Sequence, residues 1–156
     1  MEPSAKSRRK YFDRTIVKPT FSFFENINDH DLAERDGQTN MALDIAEAVG
    51  ANEQIVVEAG VGIGKSFAYL YPGTLLASLT GRPIVISTSS IALSEQLVDD
   101  AQRVLRFRQN SNLPIVLGKG MNNYICQRRV NEVIEQKRAL KKSTQRSFSA
   151  KERLML

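Results

Sequence analysis

The sequence predicts an α/β fold in which a parallel sheet is flanked by helices. Short apolar or β-branched runs stand at residues 55–57, 83–87 and 113–117, each of a length and composition that suits a buried strand. Segments with apolar residues at helical spacing separate them, and parallel neighbours require crossover connections of that kind.

Taken in order, residues 1–20 contain Arg8-Arg9-Lys10 and Pro19 but no sustained apolar period, which predicts a mobile basic arm without a core. Phe21, Phe23 and Phe24 then form an alternating aromatic patch, and the polar Asn26 to Asp31 stretch reads as a loop. From Asp36, an N-cap type of residue, Met41, Ile45, Ala48 and Val49 recur on one helical stripe until Gly50 supplies a stop. The run Ile55-Val56-Val57 leads through Glu58 into a glycine loop. Residues 65–79 beyond it are helix-like, closed by Gly81 and Pro83, with a kink expected at Pro72 because proline lacks the backbone donor. The second run, Pro83 to Ser87, precedes a helix whose Leu93, Leu97, Ala101 and Val104 share one side. The third, Leu113 to Leu117, ends at Gly118. Residues 122–142 are again helix-like, with Cys126, Val130, Val133 and Ile134 as their apolar side. The reading divides the chain into a basic arm at 1–20, an α/β unit at 21–121 and a basic helical tail at 122–156.

Composition narrows the function classes. At 156 residues, 42% apolar and 25% charged, the chain has the make-up of an ordinary globular protein with a single core. No apolar run approaches the ~20 residues of a membrane span, and the basic start lacks the apolar stretch of a secretory signal. A cytoplasmic location is expected. The single cysteine, Cys126, forms no internal disulfide and cannot by itself hold a metal that takes four protein ligands. Residues 1–20 carry six basic and two acidic side chains, and residues 127–156 carry nine and three. Positive ends around an acidic middle suit a polyanion-binding protein, and equally suit solvated lysine and arginine faces.

The strongest motif is Ala59-Gly60-Val61-Gly62-Ile63-Gly64-Lys65-Ser66. It fits the phosphate-loop pattern G-x-x-x-x-G-K-[ST] except for alanine at the first position, where a small residue suffices for the turn. Gly60, Gly62 and Gly64 let the backbone approach a phosphate closely, with N–H groups aimed inward and a helix N-terminus behind them. Lys65 is expected between the β- and γ-phosphates of ATP, and Ser66 is expected to offer its hydroxyl to Mg2+. Hydrolysis needs further groups: a carboxylate for the metal, a group that positions water, and a cation for the developing charge. The acidic pair Asp99-Asp100 sits within a helical stripe and reads as a solvated face. No Asp-Glu pair follows an apolar run anywhere in the chain.

Four blocks in this order resemble the opening motifs of DinG-type superfamily 2 DNA helicases, relatives of XPD. They are Arg35-Asp36-Gly37-Gln38; Glu58 through Ser66 and on to Pro72; Ile86-Ser87-Thr88-Ser89-Ser90-Ile91 and on to Leu97; and Gly118-Lys119-Gly120-Met121-Asn122-Asn123-Tyr124-Ile125-Cys126. The likeness covers about residues 21–130. It implies a partial RecA-like domain in which Gln38, with Arg35, recognises adenine, since an amide both donates to and accepts from that ring's edge. It also implies that Thr88, Ser89 and Gln96 touch single-stranded DNA, where short hydroxyls before a helix suit phosphate contacts. A helix cap at Ser89 or Ser90 is the alternative.

The departures define the rest of the expectation. Relatives continue with a DEAH-type magnesium box, three further cysteines and a second motor domain, none of which is present here. Cys126 corresponds to the first iron–sulfur cysteine, yet a four-iron cluster takes four thiolates, so a small buried residue is the expected role. The branch resembling CRISPR-associated DinG-like helicases, which would serve a ribonucleoprotein effector, is the other route to a chain without the cluster. The expected function is that of the ATP-binding N-terminal part of a helicase that moves along single-stranded DNA, inactive as a motor without its missing C-terminal part. The alternatives are a nonhydrolysing nucleotide- or DNA-binding module and a small phosphate-loop kinase.

Overall fold

The computed structural model describes residues 5–30, 32–108 and 112–152, and divides the chain into two units, 1–117 and 118–156. Asp31, Arg153 and the extreme ends lie outside the described residues. In the first unit, α1 (Ala5–Phe12), a π-helical turn (Asp13–Val17) and α2 (Lys18–Glu25) are followed by a 3-10 turn (Ile27–His30), α3 (Asp36–Ala51), α4 (Lys65–Thr80) and α5 (Ile91–Phe107). The second unit holds a 3-10 turn (Met121–Asn123) and α6 (Gln127–Glu152).

α4 is the central helix of the first unit, packed against α3, α5 and the π-helical turn. It is apolar around most of its circumference, as a buried helix must be: Phe67, Ala68, Leu70, Tyr71, Pro72, Thr74 and Ala77 are all buried. The helix runs on through Pro72. Glycines with left-handed backbone close both ends, Gly64 at φ 80° and Gly81 at φ 65°. α5 lays Leu97, Ala101 and Val104 on the core, while Leu93, expected on that stripe, is exposed. α3 buries Gln38, Ala42 and Ala46, and its expected stripe of Met41, Ile45, Ala48 and Val49 is only half-buried. Gly50 does not end this helix. Asn52, in the left-handed conformation at φ 58°, does so two residues later, with its N–H on the Val49 carbonyl.

The parallel sheet is not there. Among the described residues all regular structure is helical, and none of residues 55–57, 83–87 or 113–117 forms a strand. A strand exists only through hydrogen bonds to a neighbouring backbone, and no ladder joins these three segments. One valine in each faces solvent almost completely: Val56 is 100%, Val85 88% and Val116 87% exposed. The α/β reading is therefore replaced by a helical one.

The arm reading changes as well. Residues 5–25 are helical, and Ile16 and Thr20 are fully buried. Pro19 has no N–H for the carbonyl four residues back, and the wider i→i+5 turn just before it accommodates that loss. Beyond it Phe23 stacks on Tyr71 with ring centroids 4.0 Å apart, and Phe24 meets both rings edge-on. Phe21 alone of the three aromatic residues is exposed. His30 stacks beside Phe23 and Phe107, a packing role.

The Thr20 hydroxyl is buried with no hydrogen-bond partner among the described residues. An unpaired buried hydroxyl costs about 1–3 kcal/mol, and valine has the same shape without it. Thr20→Val is accordingly expected to raise the thermal midpoint by roughly 2–4 °C for each kcal/mol gained. A midpoint at or below that of the wild type in a calorimetric scan would show that the hydroxyl is in fact satisfied.

Candidate nucleotide site at the glycine loop

The loop between residue 57 and α4 is built for close backbone approach. Gly62 and Gly64 have φ of 84° and 80°, a region that side chains other than glycine rarely adopt. Gly60 has open space where a Cβ would stand. Val61 is fully exposed, so the loop projects into solvent with the N-terminus of the 16-residue α4 immediately behind it. Free N–H groups and the positive end of the helix dipole at such a terminus favour an anion.

Three polar side chains converge on this loop. The Lys65 ammonium donates to the carbonyl oxygens of Ala59 at 3.0 Å and Gly60 at 2.6 Å. The Gln38 amide nitrogen donates to the Gly64 carbonyl at 2.8 Å, and the Arg35 guanidinium donates to the Gly62 carbonyl. Ser66 lies in the first turn of α4 and is hydrogen-bonded to Tyr69. Burial raises the Tyr69 phenol above its ordinary range, outweighing the opposing effect of that bond, so the phenol stays protonated at neutral pH. The residues expected on the adenine and those expected on the phosphates thus share one place, and both Arg35 and Gln38 grip the loop itself.

Sequence reasoning missed that grip. Gln38 is only 5% exposed, which its position at a helix start did not signal. The conformation of α3 explains it: Arg35 is the extended N-cap residue, Asp36 is the first helical residue, and Gln38 follows on the inward face.

The residues expected to meet DNA lie at the start of α5. Ser90 is the cap, its hydroxyl accepting from Leu93 N–H at 3.2 Å. The Thr88 hydroxyl donates to the Ser90 carbonyl at 2.9 Å and lies 2.6 Å from the Ser94 hydroxyl, while Ser89 and Gln96 are exposed. Of the acidic pair expected to be a solvated face, Asp99 is exposed, whereas the Asp100 side chain, 3.9 Å from Arg103, is only 13% exposed.

Cys126 is exposed, not buried as expected. Its neighbours from Met121 to Arg129, on a short 3-10 turn and the start of α6, are exposed too. The one thiol of the chain does not fit a four-iron cluster. Among the described residues no group of three or more His, Cys, Asp or Glu side chains gathers to hold a metal, and no helix is long and apolar enough to cross a membrane.

The chain is 39% identical over 104 residues to the ATP-dependent helicase DinG of Mycobacterium tuberculosis, covering 64% of this chain and 16% of that protein. It is 37% identical over 99 residues to the ATP-dependent DNA helicase YoaA of Haemophilus influenzae. Over about two thirds of its length the chain is similar to part of the DinG-like helicases. This DinG-like segment is also 30% identical over 103 residues to the 3'-5' exonuclease DinG of Bacillus subtilis, covering 66% of the segment and 11% of that protein. It spans between 11% and 16% of the length of these three relatives. No family model and no solved structure matches the DinG-like segment.

Proposed function

We propose that the segment binds ATP with Mg2+ at the glycine loop, as part of a helicase that moves along single-stranded DNA. The observation that carries the reading is the convergence of Lys65, Gln38 and Arg35 on the loop between Ala59 and Gly64. Two left-handed glycines and a helix N-terminus stand there, and in this reading the backbone N–H groups of the loop take the phosphate oxygens. The Lys65 ammonium, now on two loop carbonyls, exchanges them for the more strongly charged phosphate oxygens. Ser66 supplies a hydroxyl for the metal ion. Arg35 and Gln38 hold the loop's carbonyls and stand beside it for the adenine. Thr88, Ser89 and Gln96 are the DNA contacts of this reading.

The segment by itself is a binding unit without turnover, because the chain has no Asp-Glu pair after an apolar run to complete the metal site. Fluorescent ATP binding with Mg2+ tests the first claim. A charge-assisted hydrogen bond contributes about 1.5–3 kcal/mol, so Lys65→Ala is expected to weaken binding roughly ten- to hundredfold. Wild-type affinity in the variant, or no binding by the folded wild type, would remove the proposal. Phosphate release that depends on Lys65 in the isolated chain would disprove the second claim by revealing a hydrolytic carboxylate.

A further inference from the structure

A second site lies at the other end of α4. The helix rises about 24 Å over its 16 residues, and its C-terminal turn borders a half-open cavity of about 970 Å³ formed with α1 and the end of α3. The lining includes Arg8 and Arg9 from α1 and Arg82 from the segment after α4, against one carboxylate, Glu53. Among the described residues none of the three guanidinium groups is paired with a carboxylate or donates to a helix carbonyl. Phe12 and Pro83 give the cavity an apolar wall. The arm that brings Arg8 and Arg9 is seated there by the close approach of Phe12 to Gly50, where a Cβ would lie 3.4 Å from the phenylalanine.

Three arginines without a carboxylate partner line one cavity beside a single carboxylate, and a ligand with several negative charges suits that excess of positive charge. The volume is at the upper end for a ligand site and far exceeds one phosphate ion. The apolar wall adds a surface on which a planar ring can stack, the combination of charge and stacking that suits a single strand. We infer that this cavity binds a short run of single-stranded nucleic acid, with Arg8, Arg9 and Arg82 on successive phosphates and Phe12 against a base. It is remote from the glycine loop and independent of nucleotide binding there.

Fluorescence anisotropy of a labelled oligothymidylate on the full chain, measured across a salt series, tests this. Each phosphate contact to a single strand contributes about 0.7 to the slope of log affinity against log salt. The triple substitution Arg8→Ala, Arg9→Ala and Arg82→Ala is expected to flatten the slope by about 2 and to weaken binding at least tenfold at low salt. The same variant is expected to keep fluorescent-ATP affinity, which separates this result from failure of the glycine-loop reading. If the triple variant does not fold, Arg82→Ala and Arg9→Ala singly are expected to flatten the slope by about 0.7 each. A wild-type slope in these variants, or displacement of the oligonucleotide by polyglutamate of equal charge, would overturn the inference. Displacement by oligothymidylate but not by polyglutamate would support it.

Discussion

Phe24→Ala is expected to remove about 3–5 kcal/mol of stability, the range for deleting a buried aromatic side chain. Phe24 is fully buried and heads the large side chains with no accessible surface. Its ring sits 5.1 Å from that of Phe23 and 6.0 Å from that of Tyr71, both nearly perpendicular. The substitution therefore loses edge-to-face contacts as well as transfer energy and leaves a void between α2 and α4. Since whole domains are stable by only about 5–15 kcal/mol, a loss of this size removes a large share of that margin. Phe21, on the same helix but 47% exposed, supplies the comparison: Phe21→Ala should stay within about 0.5 kcal/mol of wild type. Urea unfolding followed by circular dichroism separates the two. Equal midpoints for the two variants would mean that α2 does not pack on α4.

The aromatic patch shows what the sequence could and could not carry. Phe12, Ile16, Thr20, Phe24 and Ile27 recur at nearly helical spacing, and all but half-buried Phe12 are fully buried. The stripe is concealed in sequence because a threonine occupies its centre and Pro19 argues against a helix. The α5 stripe, free of such interruptions, was legible from Leu97 to Val104. The three β-branched runs failed for a different reason. Their side chains report suitability for a half-buried surface, not the presence of a neighbouring backbone, and pairing is a non-local property. Val56 and Val85 have the composition of buried strands and stand exposed. At the site, the order of Gly60, Gly62, Gly64, Lys65 and Ser66 was readable because a motif of fixed spacing states its own geometry. The placement of Arg35 and Gln38 on that loop was not, since residues 26 and 27 positions away meet it only through the packing of α3 on α4.

Gly64→Ala is expected to weaken fluorescent-ATP binding at least tenfold, and the reason divides into two separable parts. The backbone at Gly64 has φ 80°, where an L side chain costs about 1–2 kcal/mol. An added Cβ would also stand 2.2 Å from Nε2 of Gln38 and 2.9 Å from its Cδ, so the amide must move and give up its bond to the Gly64 carbonyl. The atoms in the way are the far end of a flexible side chain, which means that the collision can be relieved whereas the backbone strain cannot. Gln38→Ala combined with Gly64→Ala should therefore bind nucleotide no more weakly than Gly64→Ala alone, although Gln38→Ala weakens binding in the wild-type background. That coupling is the signature of two residues acting through one contact. Strictly additive losses in the double-mutant cycle would show that Gln38 serves the nucleotide directly and owes nothing to its hold on the loop.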